Sequence, residues 1–376
     1  MAIIFLTILA TYLKPDFSNS LFISEMKKIQ SSNWNKVLLL GNGINLLDHD
    51  QSVSWGVLLQ EMKEEFSLNE MDLMNEFKPF PLAFEEMLHR TEGNINLATK
   101  ARKLKESINM ILKKQLKGKP GFNEYHKKLM QCNVDEILTT NYDYGLENSV
   151  LSDFSKEKLQ LANYRKEVRH SLRRAYYIPE HNKRVWHIHG ELEDSRKLSP
   201  ESFNYNEESI MIGYEHYALY LEKIQENYRG KGGIQKPENQ SIFSRMKNNI
   251  SGIYWFDYFF THDIYILGLG LSFSENHLWW LINKRAIMMR KKTQKNLVGI
   301  SNNITFLMPD IVKDKEVKTN EIIDEASFEK RFGKRSRNLK QKAITDILPA
   351  FNVNVVSIKA QDYKMFYDIA IQDYLS

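Results

Sequence analysis

Cysteine is almost missing from this 376-residue chain, which carries Cys132 alone. No intramolecular disulfide can form, and no zinc ribbon built on two Cys-x-x-Cys pairs can exist. That usage fits a reducing, cytoplasmic compartment. Glycine (17) and proline (9) are sparse, which excludes a collagenous or low-complexity chain, and 42% hydrophobic residues exclude a disordered one. An excess of one charge is lacking too. The 52 Lys and Arg against 47 Asp and Glu leave +5, too little over this length to imply nucleic acid as the partner. Long apolar runs are absent as well: Met1 to Leu13 lacks a basic leader and falls short of the ~20 residues a spanning helix needs, so no membrane anchor is expected. Met26, which opens a helical stretch before the first strand, is an alternative start.

What remains is a globular chain long enough for several domains of about 150 residues or one large α/β domain with insertions. Val37 to Leu40 is a fully apolar run that breaks at Gly41-Asn42-Gly43, as a buried parallel strand does. A helix is expected next, capped by Ser54, with Trp55, Leu58, Leu59, Met62 and Phe66 at helical spacing. From about 56 to 133 the chain is Lys-rich and helically periodic, with Leu104, Ile108, Ile111 and Leu112 on one stripe and Pro79, Pro81 and Pro120 as interruptions. It reads as a helical insertion.

Further strands are expected at Val134 to Thr140, Val185 to Ile188, Ile210 to Ile212, Ile264 to Leu267, Leu297 to Ile300 and Val353 to Ile358. Helical segments lie between them: a basic stretch reaching about Tyr177, one through Asn227, one from about Ser274 to Met289, and one at the end. Strand, polar turn and helix alternate, which predicts an α/β fold with a parallel sheet covered on both faces, occupying 36–376 after an N-terminal segment 1–35. Glu329 to Lys342 carries seven Lys or Arg and reads as a solvated surface or as a contact for nucleic acid or an acidic partner.

In open parallel sheets ligands bind outside the carboxyl ends of the strands. Four such ends are rich in glycine or polar groups. Gly41-Asn42-Gly43-Ile44-Asn45 allows close approach to a pyrophosphate, although Leu46 stands where a dinucleotide fingerprint has its third glycine; a tight structural turn explains it equally. Thr139-Thr140-Asn141-Tyr142-Asp143 offers an amide and a carboxylate suited to ribose hydroxyls or water, and a local Asn/Asp turn is the plainer account. His187-Ile188-His189-Gly190 puts two histidines on one side of a strand, which allows a metal pair, but no further ligand is evident; a proton-transfer role for the strand-end histidine fits better. Gly268-Leu269-Gly270-Leu271-Ser272 is a second glycine turn, with Ser272 or Ser274 able to cap the next helix.

The order of these four segments resembles the bacterial sirtuin-like family, over the chain from about Val37 onward. The resemblance implies a Rossmann-type, sirtuin-like core. Deacylating sirtuins carry a four-cysteine zinc module that Cys132 cannot supply, and a helical insertion stands in the first half, so the resemblance points away from deacylation. It points toward the members that hydrolyse NAD+ to ADP-ribose and nicotinamide in antiphage, abortive-infection defence. On that footing NAD is the substrate and no metal is needed. His189 acts as base, Asn141 orients ribose and water, and Asp143 holds the ribose or the loop. Gly41, Gly43, Asn45, Thr140, Gly268, Gly270 and Ser272 bind the dinucleotide. Because an unrestrained NADase would kill its host, gating by homo-oligomerisation or by a separately encoded partner is expected. The alternative is a sensor that binds NAD or ADP-ribose without chemistry.

Overall fold

Seven strands form one sheet in the order β3-β4-β2-β1-β5-β6-β7. They are β1 (Lys36–Leu40), β2 (Glu136–Thr139), β3 (Tyr176–Ile178), β4 (Lys183–His187), β5 (Asp263–Leu267), β6 (Ile304–Ile311) and β7 (Val353–Ala360). The computed structural model describes residues 36–47, 55–71, 78–92, 96–115, 121–151, 172–173, 175–191, 210–231, 236–290, 300–311, 339 and 341–376. Every neighbouring pair is parallel except β3 with β4. Taken in chain order without β3, the parallel strands run 3-2-1-4-5-6 across the sheet. That is the order of the doubly wound dinucleotide-binding class, whose ligand crevice opens where the chain reverses direction across the sheet. Here the reversal lies between β1 and β5.

The central strands are buried on both faces, which is why they read as continuous apolar runs. Leu38, Leu40 and Ile137 join a cluster with Tyr125 and Leu129 from α4 (Glu124–Gln131) and Phe366 and Tyr367 from α7 (Tyr363–Ala370). Val37 and Leu39, alternating with them, are equally buried and face the other side. At the amino end of the sheet the register of β2 and β4 is fixed by a cross-strand ion pair. Arg184 donates Nε and Nη2 to Glu136 at 2.6–3.1 Å, and Trp186 Nε1 donates to the same carboxylate at 2.7 Å.

The helical insertion is present: α1 (Trp55–Glu65), α2 (Phe80–Arg90), α3 (Leu97–Gln115) and α4. Leu104, Ile108, Ile111 and Leu112 are buried together with Leu58, Met62, Phe84 and Met87, so the expected stripe is the core of this layer. Pro79 and Pro81 do not interrupt a helix. They begin α2, where a missing N–H costs nothing.

Other local expectations are corrected. The helix expected from Trp55 is present as α1, and the first glycine turn itself leads into a 3-10 turn, Asn42–Leu47. Ile210 makes only an isolated bridge with Gly190 and belongs to no strand of the sheet. The end of the expected basic helical stretch is instead β3. Among the described residues the next strand after α6 (Asn276–Arg290) is Ile304–Ile311. It carries Pro309, tolerated because β5 pairs only as far as Phe306 and leaves that edge open. Ser54, Pro120, Leu297 to Val298 and most of Glu329 to Lys342 lie outside the described residues. No described helix is long and apolar enough to cross a membrane.

Candidate functional site

The two glycine turns meet. Leu40 and Leu267 are in register, so β1 and β5 end side by side, and Gly41 N donates to Leu267 O at 3.0 Å while Gly43 N donates to Gly268 O at 2.8 Å. A Cβ on Gly41 would stand 2.5 Å from Gly268 O and from Leu269 Cα. Gly268 has φ +64° and a Cβ there would run into the Tyr367 hydroxyl, so neither position accepts a side chain. Gly270 is different, since a Cβ would meet nothing within 4 Å. Tyr367, on α7, places its hydroxyl under both turns. That hydroxyl is buried, has no hydrogen-bond partner among the described residues, and is pushed up in pKa by burial.

Ser272 is not the helix cap. Its exposed hydroxyl accepts from Ser274 N at 3.4 Å and Ser274 Oγ at 3.0 Å, whereas α6 starts at Asn276. Ahead of it Leu271 is fully buried at φ +46°, a left-handed conformation that a branched side chain rarely adopts. The loop between the second turn and α6 is therefore held in one shape.

The end of β2 lies against the first turn. Thr140 N donates to Leu40 O at 3.0 Å, and Asn141 Nδ2 reaches Gly41 O at 3.5 Å. Asn141 is buried, and its Oδ1 has no partner among the described residues. Asp143 is placed otherwise than expected for a ribose ligand. Its Oδ1 accepts from Gly145 N at 2.9 Å and its Oδ2 from Asn45 Nδ2 at 2.7 Å. Asn45 Oδ1 lies 3.1 Å from Nε2 of the buried His126, whose pKa burial lowers against the opposing pull of Asp143 and Glu147. Asp143 and Asn45 thus brace the two loops against α4.

The two histidines of β4 part company. His187 Nδ1 is 3.0 Å from Asn141 O and its Nε2 is 2.8 Å from Glu147 Oε1, with Tyr144 and Tyr176 edge-on to the ring. It ties β4 to the Asn141 loop. The strand stops at His187, and Gly190 turns at φ +83°, so strand alternation no longer holds. His189 Nε2 instead lies 3.2 Å from His277 Nε2 and 3.2 Å from Glu275 Oε2. Glu275 and His277 flank the start of α6, which follows β5. Since β2 and β1 stand between β4 and β5, the three side chains meet across the carboxyl edge of the sheet.

His189 is 3% exposed and His277 0%. Tyr217, on α5 (Tyr214–Arg229), sits edge-on to His189, and Tyr217, Tyr220 and Trp255 surround His277. Burial, then the neighbouring His189, holds His277 well below the ordinary imidazole range, and burial, then Glu275, holds the Tyr217 phenol well above its own. His187 and His189 therefore do not share a site: among the described residues the one group of potential ligands is His189, Glu275 and His277.

Sequence reasoning missed Glu275, His277, Tyr217 and Tyr367. Glu275 and His277 carried a usable signal, being two titratable residues immediately after a glycine turn. No family model matches the chain, and no curated protein matches it. Fold and site together define a Rossmann-like α/β protein whose glycine turns and buried histidines stand at the carboxyl edge of a mostly parallel sheet.

Proposed function

We propose that this chain is a sirtuin-like NAD+ hydrolase that cleaves the nicotinamide–ribose bond and serves antiphage defence by depleting NAD+. The observation that carries this reading is the meeting of both glycine turns at the reversal point of a dinucleotide-type strand order, with Asn141 Oδ1 beside them lacking a partner among the described residues. A buried polar atom without a partner costs about 1–3 kcal/mol, and a ligand hydrogen bond is the ordinary way to recover it.

The chemistry asks little of the protein beyond placement. The pyridinium already carries positive charge, so the bond to C1′ breaks to release neutral nicotinamide without an acid, and the electron-poor ribose is captured by water. His189 takes the proton from that water or from a ribose hydroxyl, a role worth typically ~10²–10⁴ in rate. Asn141 orients the ribose and the water. The diphosphate lies over the turns at Gly41, Gly43, Gly268 and Gly270, where only hydrogens project from the backbone. Asp143 and Asn45 keep the loops in register, and Thr140 and Ser272 shape their edges.

A second reading, nucleotide binding without chemistry, has one observation behind it: His189 is 3% exposed and its Nε2 already faces Glu275 and His277. Incubating the purified chain with NAD+, alone and with the products of adjacent genes, and following nicotinamide separates the two. The hydrolase releases nicotinamide, and His189→Ala stops the release by at least ~100-fold while the circular dichroism spectrum is unchanged. Binding of NAD+ without release under every condition would leave the sensor reading.

A further inference from the structure

Two distant stretches of the chain bring three potential metal ligands together. His189 Nε2 lies 3.2 Å from His277 Nε2 and 3.2 Å from Glu275 Oε2, and the ligand atoms of all three lie within 4.8 Å of one another. Two ligands held tetrahedrally at about 2.0–2.1 Å from one zinc ion are about 3.3 Å apart, so both contacts to His189 already have that spacing, while Glu275 Oε2 stands farther from His277, 3.9 Å from its Nδ1. A hydrogen bond between the two Nε2 atoms accounts for the approach of His189 and His277 but not for the rest of the cluster. Glu275 Oε2 is close to His189 but lacks hydrogen-bond geometry, and His277 Nδ1, on a ring with no exposure, has no partner among the described residues. Tyr217, Tyr220 and Trp255 pack around the ring of His277 and hold it in place.

We infer that His189, Glu275 and His277 form a binding site for a divalent late transition metal, with zinc as its ligand of choice. Two imidazoles and one carboxylate are a borderline donor set that suits zinc, and three protein ligands leave a fourth position for water or a substrate oxygen. Glu275 and His277 are two residues apart at the start of α6, and the single long-range ligand, His189, staples that helix to the end of β4. For the hydrolase reading, on which this consequence alone rests, the metal is a silencer. Zinc on His189 Nε2 occupies the lone pair that a base needs, so the metal-bound chain does not turn over NAD+.

The test uses the full chain, stripped with chelator and dialysed, titrated with Zn2+ in competition with a chromophoric chelator, and separately loaded with Co2+ for its visible spectrum. The expected result is one equivalent of Zn2+ per chain, a cobalt spectrum of low-coordinate intensity, and at least ~10-fold weaker binding in Glu275→Gln and in His277→Gln. His187→Gln, folded by circular dichroism, keeps the parent affinity. Absence of stoichiometric binding, or binding that both Glu275→Gln and His277→Gln leave intact, overturns the site. Nicotinamide release measured on the same samples keeps the two readings apart: zinc binding with no turnover in either form sinks only the hydrolase, and turnover without zinc binding sinks only the metal site.

Discussion

His262 sits at the foot of β5, its Nδ1 2.8 Å from Thr261 Oγ1 and its ring against the edge of Tyr258. Burial, and then the nearby Arg184 charge, push its pKa from 6.5 down to about 4. The unfolded chain therefore takes up a proton below 6.5 that the folded one refuses until about 4, so stability is complete above that window and is lost as pH falls through it. The expected loss is about 3 kcal/mol, from roughly 1.4 kcal/mol per pH unit. Urea unfolding at about pH 7.5 and about pH 4.5 measures it, and His262→Gln should remove that share of the slope. Asp143 makes a different prediction. Both its oxygens accept hydrogen bonds, so Asp143→Asn turns one acceptor into a donor facing another donor and costs about 1–3 kcal/mol of unfolding free energy. Made in an Asn45→Ala background the same change costs less, because the partner of Oδ2 is gone; equal costs in both backgrounds would show that the bond carries no stability.

Between elements, the tightest constraint is the seam where β1, β5 and α7 meet. Gly268→Ala forces a left-handed conformation on an alanine and drives its methyl group into the Tyr367 hydroxyl. A loss of about 1–3 kcal/mol or more is expected in denaturant unfolding, with little change in the m-value. Tyr367→Phe acts the other way on the empty protein. It removes a buried hydroxyl that has no partner among the described residues, so thermal stability stays level or rises. If that hydroxyl serves a diphosphate, the same variant binds NAD+ more weakly by about tenfold in calorimetry. A variant that is both less stable and equally good at binding would mean that the hydroxyl is structural.

Taken whole, the unit from Lys36 to Ser376 builds its site from β1, β2, β4 and β5 and covers it. On the hydrolase reading, His189 at 3% exposure must be uncovered before a dinucleotide can reach it. Turnover is therefore expected to depend on assembly, either self-association or a separately encoded partner acting on the layer formed by α1, α2 and α3. Light scattering of size-fractionated protein, with nicotinamide release measured on each fraction, tests this. Full activity in a monomeric fraction without any added protein would remove the gating proposal.

Much of this arrangement is already present in local patterns of the chain. Val37 to Leu40 and Ile264 to Leu267 are strands because continuous apolar runs suit positions buried on both faces, and the glycines after them mark the turns. The stripe of Leu104, Ile108, Ile111 and Leu112 is a core for the same reason, since periodicity is a property of neighbouring residues. Which strand ends would meet, and what each polar group would face, depended on contacts between residues far apart. β3 was hidden at the end of a segment that reads as basic helix, and β6 contains a proline that only an open edge permits. Asp143 became a brace once Asn45 and Gly145 were brought to it. His189 found Glu275 and His277 because the sheet lays β4 and β5 on opposite sides of β2 and β1, a distance of 88 residues along the chain that no local pattern spans.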